Sequence, residues 1–214
     1  MTFSIKSQLG SPSTLLNASG ATNFRFMLSS DLPSAEIASL NELGVKELVK
    51  SLVERGCELN FAEVHSKQFA ANLLVIDSAM PKLIAALLIS YYSGLGTTLT
   101  DLIPVISNAD PLSIGADANK VYTHKIKTFL AGVVLGMTPS KPWNGNDDAT
   151  GGYTVVKPNG EIVCFNAYNR GAFRDYLLNS TRMETGSTTR YKFGKIFYND
   201  GKLCLDLNFQ VRFI

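Results

Sequence analysis

Hydrophobic and polar residues alternate near both ends of the chain, which is the pattern of β-strands with one buried side. Residues 3–6, Phe-Ser-Ile-Lys, alternate in this way, and residues 23–29 do so again. Residues 202–213 alternate strictly, so we predict a strand whose polar side faces solvent. Residues 14–17 resemble a short helical turn or cap. Because no earlier segment can form a hairpin with residues 3–6, that strand either pairs with later strands or belongs to the carboxyl-terminal part of a longer protein.

The middle of the chain has the apolar spacing of helices. A helix over residues 118–136 is predicted most clearly, because its apolar residues form one stripe and its lysines lie off that stripe. Residues 67–92 predict either one kinked helix or two helices divided near Pro81. Residues 97–113 give no clear prediction.

The last third of the chain predicts two antiparallel hairpins. A turn-rich connector over 138–150 precedes a hairpin over 153–168, whose turn contains Asn159-Gly160. A short helix over 172–178 and a second hairpin over 191–213 follow. We therefore predict an α+β (mixed α/β) fold in a single domain over 1–214, with a sub-boundary at 138–150 between a helical part and a β-hairpin part.

Composition and charge narrow the function classes only partly. Hydrophobic residues make up 45% of the chain and charged residues 18%, which excludes a wholly disordered chain. Residues 151–214 carry nine Lys or Arg against five Asp or Glu, whereas residues 1–150 carry eleven against thirteen. A basic carboxyl-terminal third favours a partner that bears phosphate groups.

Cysteines and apolar runs point to a location in the cytoplasm. The three cysteines lie far apart and form no CxxC pair, which argues against a disulfide scaffold or a structural zinc site and favours a reducing cytosol. In the most hydrophobic region, residues 69–92, the longest wholly apolar run is residues 83–89, which is far shorter than the ~20 residues that span a bilayer. We expect no signal peptide and no membrane partner.

Residues for nucleophilic or metal catalysis are sparse. His65 and His124 fall in separate predicted helices without the spacing of metal ligands, and Cys164 and Cys204 fall in predicted strands. The glycine-rich stretches lack the spacing of a phosphate-binding loop or of a dinucleotide-binding turn.

Short motifs toward both ends carry a family resemblance. In chain order they are Phe-Ser-Ile-Lys-Ser (3–7), Leu-Leu-Asn-Ala-Ser (15–19), Ala-Thr-Gly-Gly-Tyr (149–153), Tyr-Asn-Arg (168–170), Phe-Gly-Lys-Ile (193–196) and Leu-Asn-Phe-Gln-Val-Arg-Phe (207–213). In this order they resemble the HpaII-type restriction endonucleases, within the PD-(D/E)XK nuclease superfamily. The resemblance implies a restriction-endonuclease-like mixed sheet with flanking helices, and Mg²⁺-dependent, sequence-specific hydrolysis of double-stranded DNA.

The same resemblance assigns catalytic candidates. Members of the superfamily place an acidic residue two positions before a Lys, with a further Asp on an adjacent strand, so that the carboxylates hold Mg²⁺ and the Lys helps to deprotonate water. Lys6 matches that Lys, and Ser4 stands where the acidic residue is expected. Related families move this carboxylate to a nearby helix, for which Glu36 and Asp31 are the nearest candidates, and the choice between them is open. We expect the first strand to lie inside the sheet, with Lys6 facing a cleft.

The resemblance also implies a missing amino-terminal portion, because the metal-binding Asp would precede Lys6. We therefore expect the 214 residues to be inactive alone, or nearly so. A homodimer is a further open expectation.

Candidate DNA contacts concentrate in the polar, arginine-rich tail. They are Asn169, Arg170, Arg174, Arg182, Thr185, Ser187 and Arg190, followed with less support by Asn17, Ser19 and Asn23 near the first strand. Arg reads guanine bidentately, and Ser, Thr and Asn contact phosphates or base edges. Arg212 is expected to be a surface charge.

The alternative is a non-catalytic nucleic-acid-binding or protein-interaction module. The missing upstream carboxylate favours this alternative for the chain as given, whereas the Phe-Ser-Ile-Lys strand favours the enzyme for a longer protein.

Overall fold

The computed structural model describes residues 4–7, 13–146, 152–157, 159–166 and 169–214, and for residues 4–7 and 166 it describes only the backbone. Within these ranges the helices are α1 (Ser34–Asn41), α2 (Val45–Glu54), α3 (Lys67–Ile76), α4 (Met80–Tyr92), α5 (Leu99–Ala109), α6 (Ala118–Val134), α7 (Arg170–Asn179) and α8 (Thr188–Tyr191). The strands are β1 (Ser4–Ser7), β2 (Thr14–Leu16), β3 (Asn23–Leu28), β4 (Leu59–Val64), β5 (Gly152–Val156), β6 (Ile162–Asn166), β7 (Thr181–Met183), β8 (Ile196–Asn199), β9 (Lys202–Asn208) and β10 (Val211–Phe213).

The described strands form three sheets. The mixed sheet has the order β1-β5-β6, the small antiparallel sheet has the order β2-β10-β7, and the four-stranded sheet has the order β4-β3-β9-β8. Helices and these sheets together confirm the predicted α+β class. Predicted connector residues 147–150 lie outside the described residues.

The first strand pairs with a strand from the carboxyl-terminal third. β1 runs parallel to β5, with Ser4 opposite Tyr153 and Lys6 opposite Val155. Among the described residues β1 has this single neighbour, so it lies at the edge of the mixed sheet, and its expected place inside a sheet is wrong for this part of the chain. The predicted hairpin over 153–168 is confirmed by the antiparallel pair β5 and β6.

Two local predictions are wrong because distant pairing overrides them. Residues 14–16 form a strand and not a helical turn, since Leu16 pairs with Val211 of β10. The alternating segment over 202–213 divides after Asn208, and its two parts join different sheets. The second hairpin is correspondingly shorter than predicted, since α8 ends at Tyr191 and β8 begins at Ile196.

Beyond the exposed Lys202, the polar side of β9 is buried and does not face solvent. Cys204, Asp206 and Asn208 are 2%, 5% and 0% exposed, because β9 is a central strand and its polar residues find partners on β3 and nearby loops. A buried polar group is tolerated when it is hydrogen-bonded, so alternation alone did not identify the exposed face.

The helical predictions are largely confirmed. Residues 67–92 form two helices, and Pro81 lies in the first turn of α4, where its missing N–H costs nothing. α6 covers most of the predicted helix. The unassigned segment contains α5, which begins after Thr98, whose hydroxyl accepts a hydrogen bond from the Asp101 N–H (3.0 Å).

Among the described helices, none is long and apolar enough by itself to cross a membrane. α3 and α4 taken together have the length and apolar composition of a membrane span, but a bend of 106° lies between them. Most of the α4 side chains are buried within the protein.

Aromatic contacts attach the mixed sheet to the rest of the protein through α7. The Phe173 ring lies 5.0 Å from the ring of Tyr153 and 5.5 Å from that of Phe165. Tyr176 lies 4.9 Å from Phe165 and 6.5 Å from Phe213 of β10. α7 therefore covers one face of the mixed sheet and also contacts the small antiparallel sheet.

Candidate functional site

Strand β1, which contains the catalytic candidates Ser4 and Lys6, lies in the mixed sheet on which α7 packs. The residues opposite them in β5, Tyr153 and Val155, are both buried, and Tyr153 packs on Phe173 of α7. The side chains of Ser4 and Lys6 lie outside the described residues, so Lys6 facing a cleft stays a prediction.

Tyr153 is a buried hydroxyl beside β1. Burial raises the pKa of Tyr153 well above its usual range, and the neighbouring Tyr176 adds to the shift. Its hydroxyl has no hydrogen-bond partner among the described residues. It therefore stays neutral at physiological pH.

Three of the predicted DNA contacts lie at the start of α7. Asn169 is the N-cap residue, and its side chain accepts a hydrogen bond from the Ala172 N–H (3.2 Å). Arg170 is exposed, and Arg174, one turn later, is half-buried. These three residues therefore belong to the helix that packs on the mixed sheet, which contains β1.

Of the candidates near the first strand, Asn23 holds distant parts of the fold together through its side chain. Asn23 is buried and donates to the Tyr191 carbonyl (2.8 Å), while Asn208 donates to the Asn23 side chain (2.6 Å) and to the Ser19 carbonyl (2.8 Å). Asn17 is exposed after β2. Contact of these residues with DNA remains a prediction.

Two tail candidates also have structural partners. Ser187 caps α8 by accepting from the Arg190 N–H (3.3 Å), and the Thr185 hydroxyl lies 3.1 Å from the Tyr91 hydroxyl. The exposed Arg190 guanidinium lies 5.4 Å from the centre of the Tyr191 ring. Arg190 therefore presents a charged group to solvent.

Arg182 lies on the small antiparallel sheet, directly opposite Arg212. Glu184 lies near both side chains, 3.0 Å from Arg212 Nε and 3.7 Å from Arg182 Nη2. The sequence predicted a surface charge at Arg212. Its side chain is half-buried and pairs with Glu184.

The weak metal candidates lie beside another sheet. Asp31 is exposed before α1, and Glu36, in the first turn of α1, forms an ion pair with Arg55. α1 packs against β8 of the four-stranded sheet, whereas β1 belongs to the mixed sheet.

The described residues do not form a metal site by themselves. No group of three or more His, Cys, Asp or Glu residues in those ranges is arranged to hold a metal ion. Mg²⁺ prefers oxygen ligands and keeps several of its waters, so it needs only one or two protein carboxylates beside the substrate phosphates. The three cysteines are free thiols, of which Cys57 and Cys204 are buried.

A charged cluster on the four-stranded sheet was not identified from the sequence. Arg25 Nε donates to Asp206 Oδ1 (3.0 Å), and Arg25 Nη1 donates to Glu63 Oε1 (3.1 Å). His65 Nε2 lies 2.9 Å from Asp206 Oδ2. The predicted helix at His65 is wrong, since this residue lies in the loop after β4. The members come from three strands and one loop, so no local motif marks them.

A cavity of about 290 Å³ lies beside this cluster. Its lining consists of Thr188, Thr189, Lys192, Phe193, Lys195, Phe197 and Asp206. The Arg25 guanidinium lies 5.2 Å from the centre of the Phe197 ring, and Lys195 donates to the Asn41 carbonyl. The cluster is therefore anchored on several sides.

Asp206 is ionised at neutral pH despite its burial. Burial opposes the charge, but hydrogen bonds from His65 and Arg25 outweigh it and hold the pKa of Asp206 below its ordinary value. The hydrogen bond to Asp206 likewise raises the pKa of Arg25.

Asp206 should therefore make the protein sensitive to acid. A carboxyl group with a lowered folded-state pKa stabilises the fold above its unfolded pKa of about 3.9, and that contribution is lost as the pH falls through the folded value. We expect the free energy of unfolding to fall more steeply below about pH 4 in the parent than in Asp206→Asn. Urea unfolding between pH 7 and pH 3 measures this, with Asp200→Asn, in an exposed turn, as the control that keeps the parent slope. Identical slopes in the parent and Asp206→Asn would contradict the assignment.

A sequence model of the HpaII restriction endonuclease family matches residues 1–213. The chain belongs to this family. The resemblance carried by the terminal motifs is thereby confirmed, and the match includes β1, α7 and both arginines of the small antiparallel sheet.

A curated member of the HpaII family is similar along nearly the whole chain. The type II restriction enzyme HpaII of Haemophilus parainfluenzae is 42% identical over 214 residues, which cover 99% of this chain. The chain spans only 60% of the length of that enzyme. No solved structure matches the chain.

Proposed function

We propose that this family member is part of a type II restriction endonuclease that hydrolyses phosphodiester bonds at a specific sequence in double-stranded DNA. The observation that carries the proposal is the strand Ser4–Ser7, paired in parallel with β5 in a mixed sheet, within a chain that the family model matches over residues 1–213. Parallel pairing supports the superfamily arrangement, in which the Lys-bearing strand is part of a mixed sheet.

Lys6 is proposed as the residue of the chemical step. Its ammonium group would position the attacking water and help to remove its proton, as the resemblance implies. Ser4, in the expected acidic position, supplies a hydroxyl and no negative charge. The carboxylates of the reaction must therefore come from other positions.

Mg²⁺ is proposed as the cofactor on the family resemblance alone, and the PD-(D/E)XK assignment rests on the same ground. When bound, a hard divalent cation stabilises negative charge on phosphate oxygens. The chain spans 60% of the length of the similar HpaII enzyme, which supports the proposal that an amino-terminal portion supplies ligands. A homodimer and a cytoplasmic location complete the proposal.

A DNA-binding module without catalytic activity is the second candidate for the 214 residues alone. Ser4, and no acidic residue, stands two positions before Lys6, which favours this candidate for the chain. The two candidates agree if the chain binds DNA and cleavage requires the longer protein.

The decisive experiment compares the 214-residue chain with an amino-terminally extended protein. We expect no cleavage of plasmid DNA by the chain alone, and Mg²⁺-dependent cleavage that stops with a chelator in the extended protein, because the extension is proposed to supply the metal-binding carboxylates. Agarose gels of the digested plasmid measure both.

Two results would count against this proposal. Robust cleavage by the short chain would mean that its own residues supply the carboxylates, and Asp31 and Glu36 would be the first to mutate. No cleavage by the extended, folded protein on any DNA would remove the endonuclease assignment.

A further inference from the structure

We propose that the outer face of the small antiparallel sheet binds phosphate groups of the DNA backbone through Arg182 and Arg212, with Glu184 as their counter-charge in the DNA-free protein. The inference rests on the proposed function, since it takes double-stranded DNA as the partner. It adds Arg212 and Glu184, which the sequence did not assign to DNA binding.

A row of polar residues crosses this face of the sheet. Arg212 of β10 is opposite Thr14 of β2 on one side and opposite Arg182 of β7 on the other. Arg182 in turn forms a bridge with Thr98 before α5. With neighbouring strands about 4.8 Å apart, the row is roughly 14 Å long. One DNA strand carries a charge about every 3.4 Å of helix axis, so the row is longer than the spacing between neighbouring phosphates.

The charges of the row do not serve the sheet itself. Like charges directly opposite on neighbouring strands destabilise a sheet, yet Arg182 and Arg212 are paired in this way. A single carboxylate, Glu184, lies near both guanidiniums, which leaves these three side chains with a net positive charge. A bound anion would relieve the repulsion that the fold leaves in place.

Both guanidiniums contact Glu184 without forming a well-aligned hydrogen bond to it. Arg212 Nε is buried and lies 3.0 Å from Glu184 Oε2, but its N–H has no hydrogen-bond partner. The 3.7 Å between Arg182 Nη2 and Glu184 is too long for a hydrogen bond. Both ion pairs therefore lack the two parallel bonds of a strong Arg–carboxylate pair, and the guanidinium donors other than the buried Arg212 Nε stay available for phosphate oxygens.

The opposite face of the sheet holds the arginines on a rigid base. Thr181 and Met183 of β7, and Val211 and Phe213 of β10, are all buried. Arg182, Arg212 and Glu184 keep 40%, 29% and 31% of their side chains exposed, so they remain accessible. Substitutions on the outer face should therefore leave the core intact.

Backbone phosphate is the ligand that this shape favours. The major groove, about 12 Å wide, admits a helix or a two-stranded ribbon, and the face of a three-stranded sheet is broader than that ribbon. Asp101 follows Thr98 of this row and accepts a hydrogen bond from the Thr98 N–H (3.3 Å) at the start of α5, where its charge offsets the helix dipole. The row should therefore contribute affinity without base preference.

The test measures DNA binding by the 214-residue chain as a function of salt. We expect Arg182→Gln and Arg212→Gln each to reduce the log–log salt slope by about 0.9, on a specific and a random duplex alike, because each removes one phosphate contact. Glu184→Gln should tighten binding to both duplexes, because it removes the competing carboxylate. Lys50→Gln, which removes an exposed charge on α2, should leave the parent slope and affinity unchanged.

The outcomes separate this inference from the proposed function. The parent could bind DNA with a steep salt slope while both arginine variants behave like Lys50→Gln. Phosphate binding by Arg182 and Arg212 would then be wrong, and the endonuclease proposal would stand. If the folded parent does not bind DNA, the arginine face is overturned together with DNA binding by this chain. Arg212→Lys keeps the charge and should retain most of the slope, which tests the inference even if Arg212→Gln unfolds.

Discussion

Lys6→Ala in the amino-terminally extended protein is expected to lower the cleavage rate by at least about a hundredfold, since a positioned proton-transfer group contributes 10²–10⁴-fold. DNA affinity should stay unchanged, because Lys6 is assigned to the chemical step and not to recognition. Single-turnover cleavage at saturating DNA separates the rate from binding, which a filter or fluorescence assay measures independently.

A matched lysine tests whether this loss is specific to the β1 position. Lys50→Ala removes an exposed lysine on α2 that pairs with Glu54 (3.8 Å), so its cleavage rate should equal that of the parent. Undiminished cleavage by Lys6→Ala would show that the Phe-Ser-Ile-Lys motif does not mark the active site. Loss of binding together with cleavage would move Lys6 from the chemical step to DNA contact.

The largest loss of stability is expected from Asp206→Ala. Asp206 is 5% exposed and accepts hydrogen bonds from Arg25, and it lies within 2.9 Å of His65 Nε2. Removing Asp206 takes away the buried partner of Arg25 and leaves it with the exposed Glu63. We therefore expect a loss of about 3 kcal/mol in the free energy of unfolding, the lower end for a broken buried ion pair. Urea unfolding at pH 7 measures the loss.

Glu63 offers a control on the same arginine. Its carboxylate pairs with Arg25 at 3.1 Å, but its side chain is 57% exposed, so Glu63→Ala should cost less than about 1 kcal/mol. Equal losses for the two variants would mean that burial of Asp206 does not set the strength of its pairing. Because both substitutions lie on the four-stranded sheet, the comparison does not depend on DNA binding.

Local sequence was sufficient where neighbouring residues determine the structure. The helix of residues 118–134 follows from an apolar stripe along the chain, and the β8–β9 hairpin follows from Asn199-Asp200-Gly201, whose turn needs positive φ at Asp200 and Gly201. Pro81 likewise marks the first turn of α4, a position that proline favours. The family, too, was recognisable from short motifs, because their order along the chain is a property of the sequence.

Tertiary pairing decided the features that connect distant residues. The strand β2 exists because β10 supplies its backbone partners, and no local pattern in residues 14–16 contains that information. Strict alternation in residues 202–213 marked two faces, but burial of the polar face depends on Arg25, His65 and the loop before β3.

The candidate site divides in the same way. Sequence by itself determined the Phe-Ser-Ile-Lys motif, the family and a basic tail, since each is a matter of residue type and order. Only the tertiary structure placed β1 beside β5 and Arg182 opposite Arg212, and turned Asn23 inward to bind the Tyr191 carbonyl. Whether a polar side chain faces DNA or stabilises the fold depends on which distant strand lies against it, and hydrogen bonds between strands carry no mark in the local sequence.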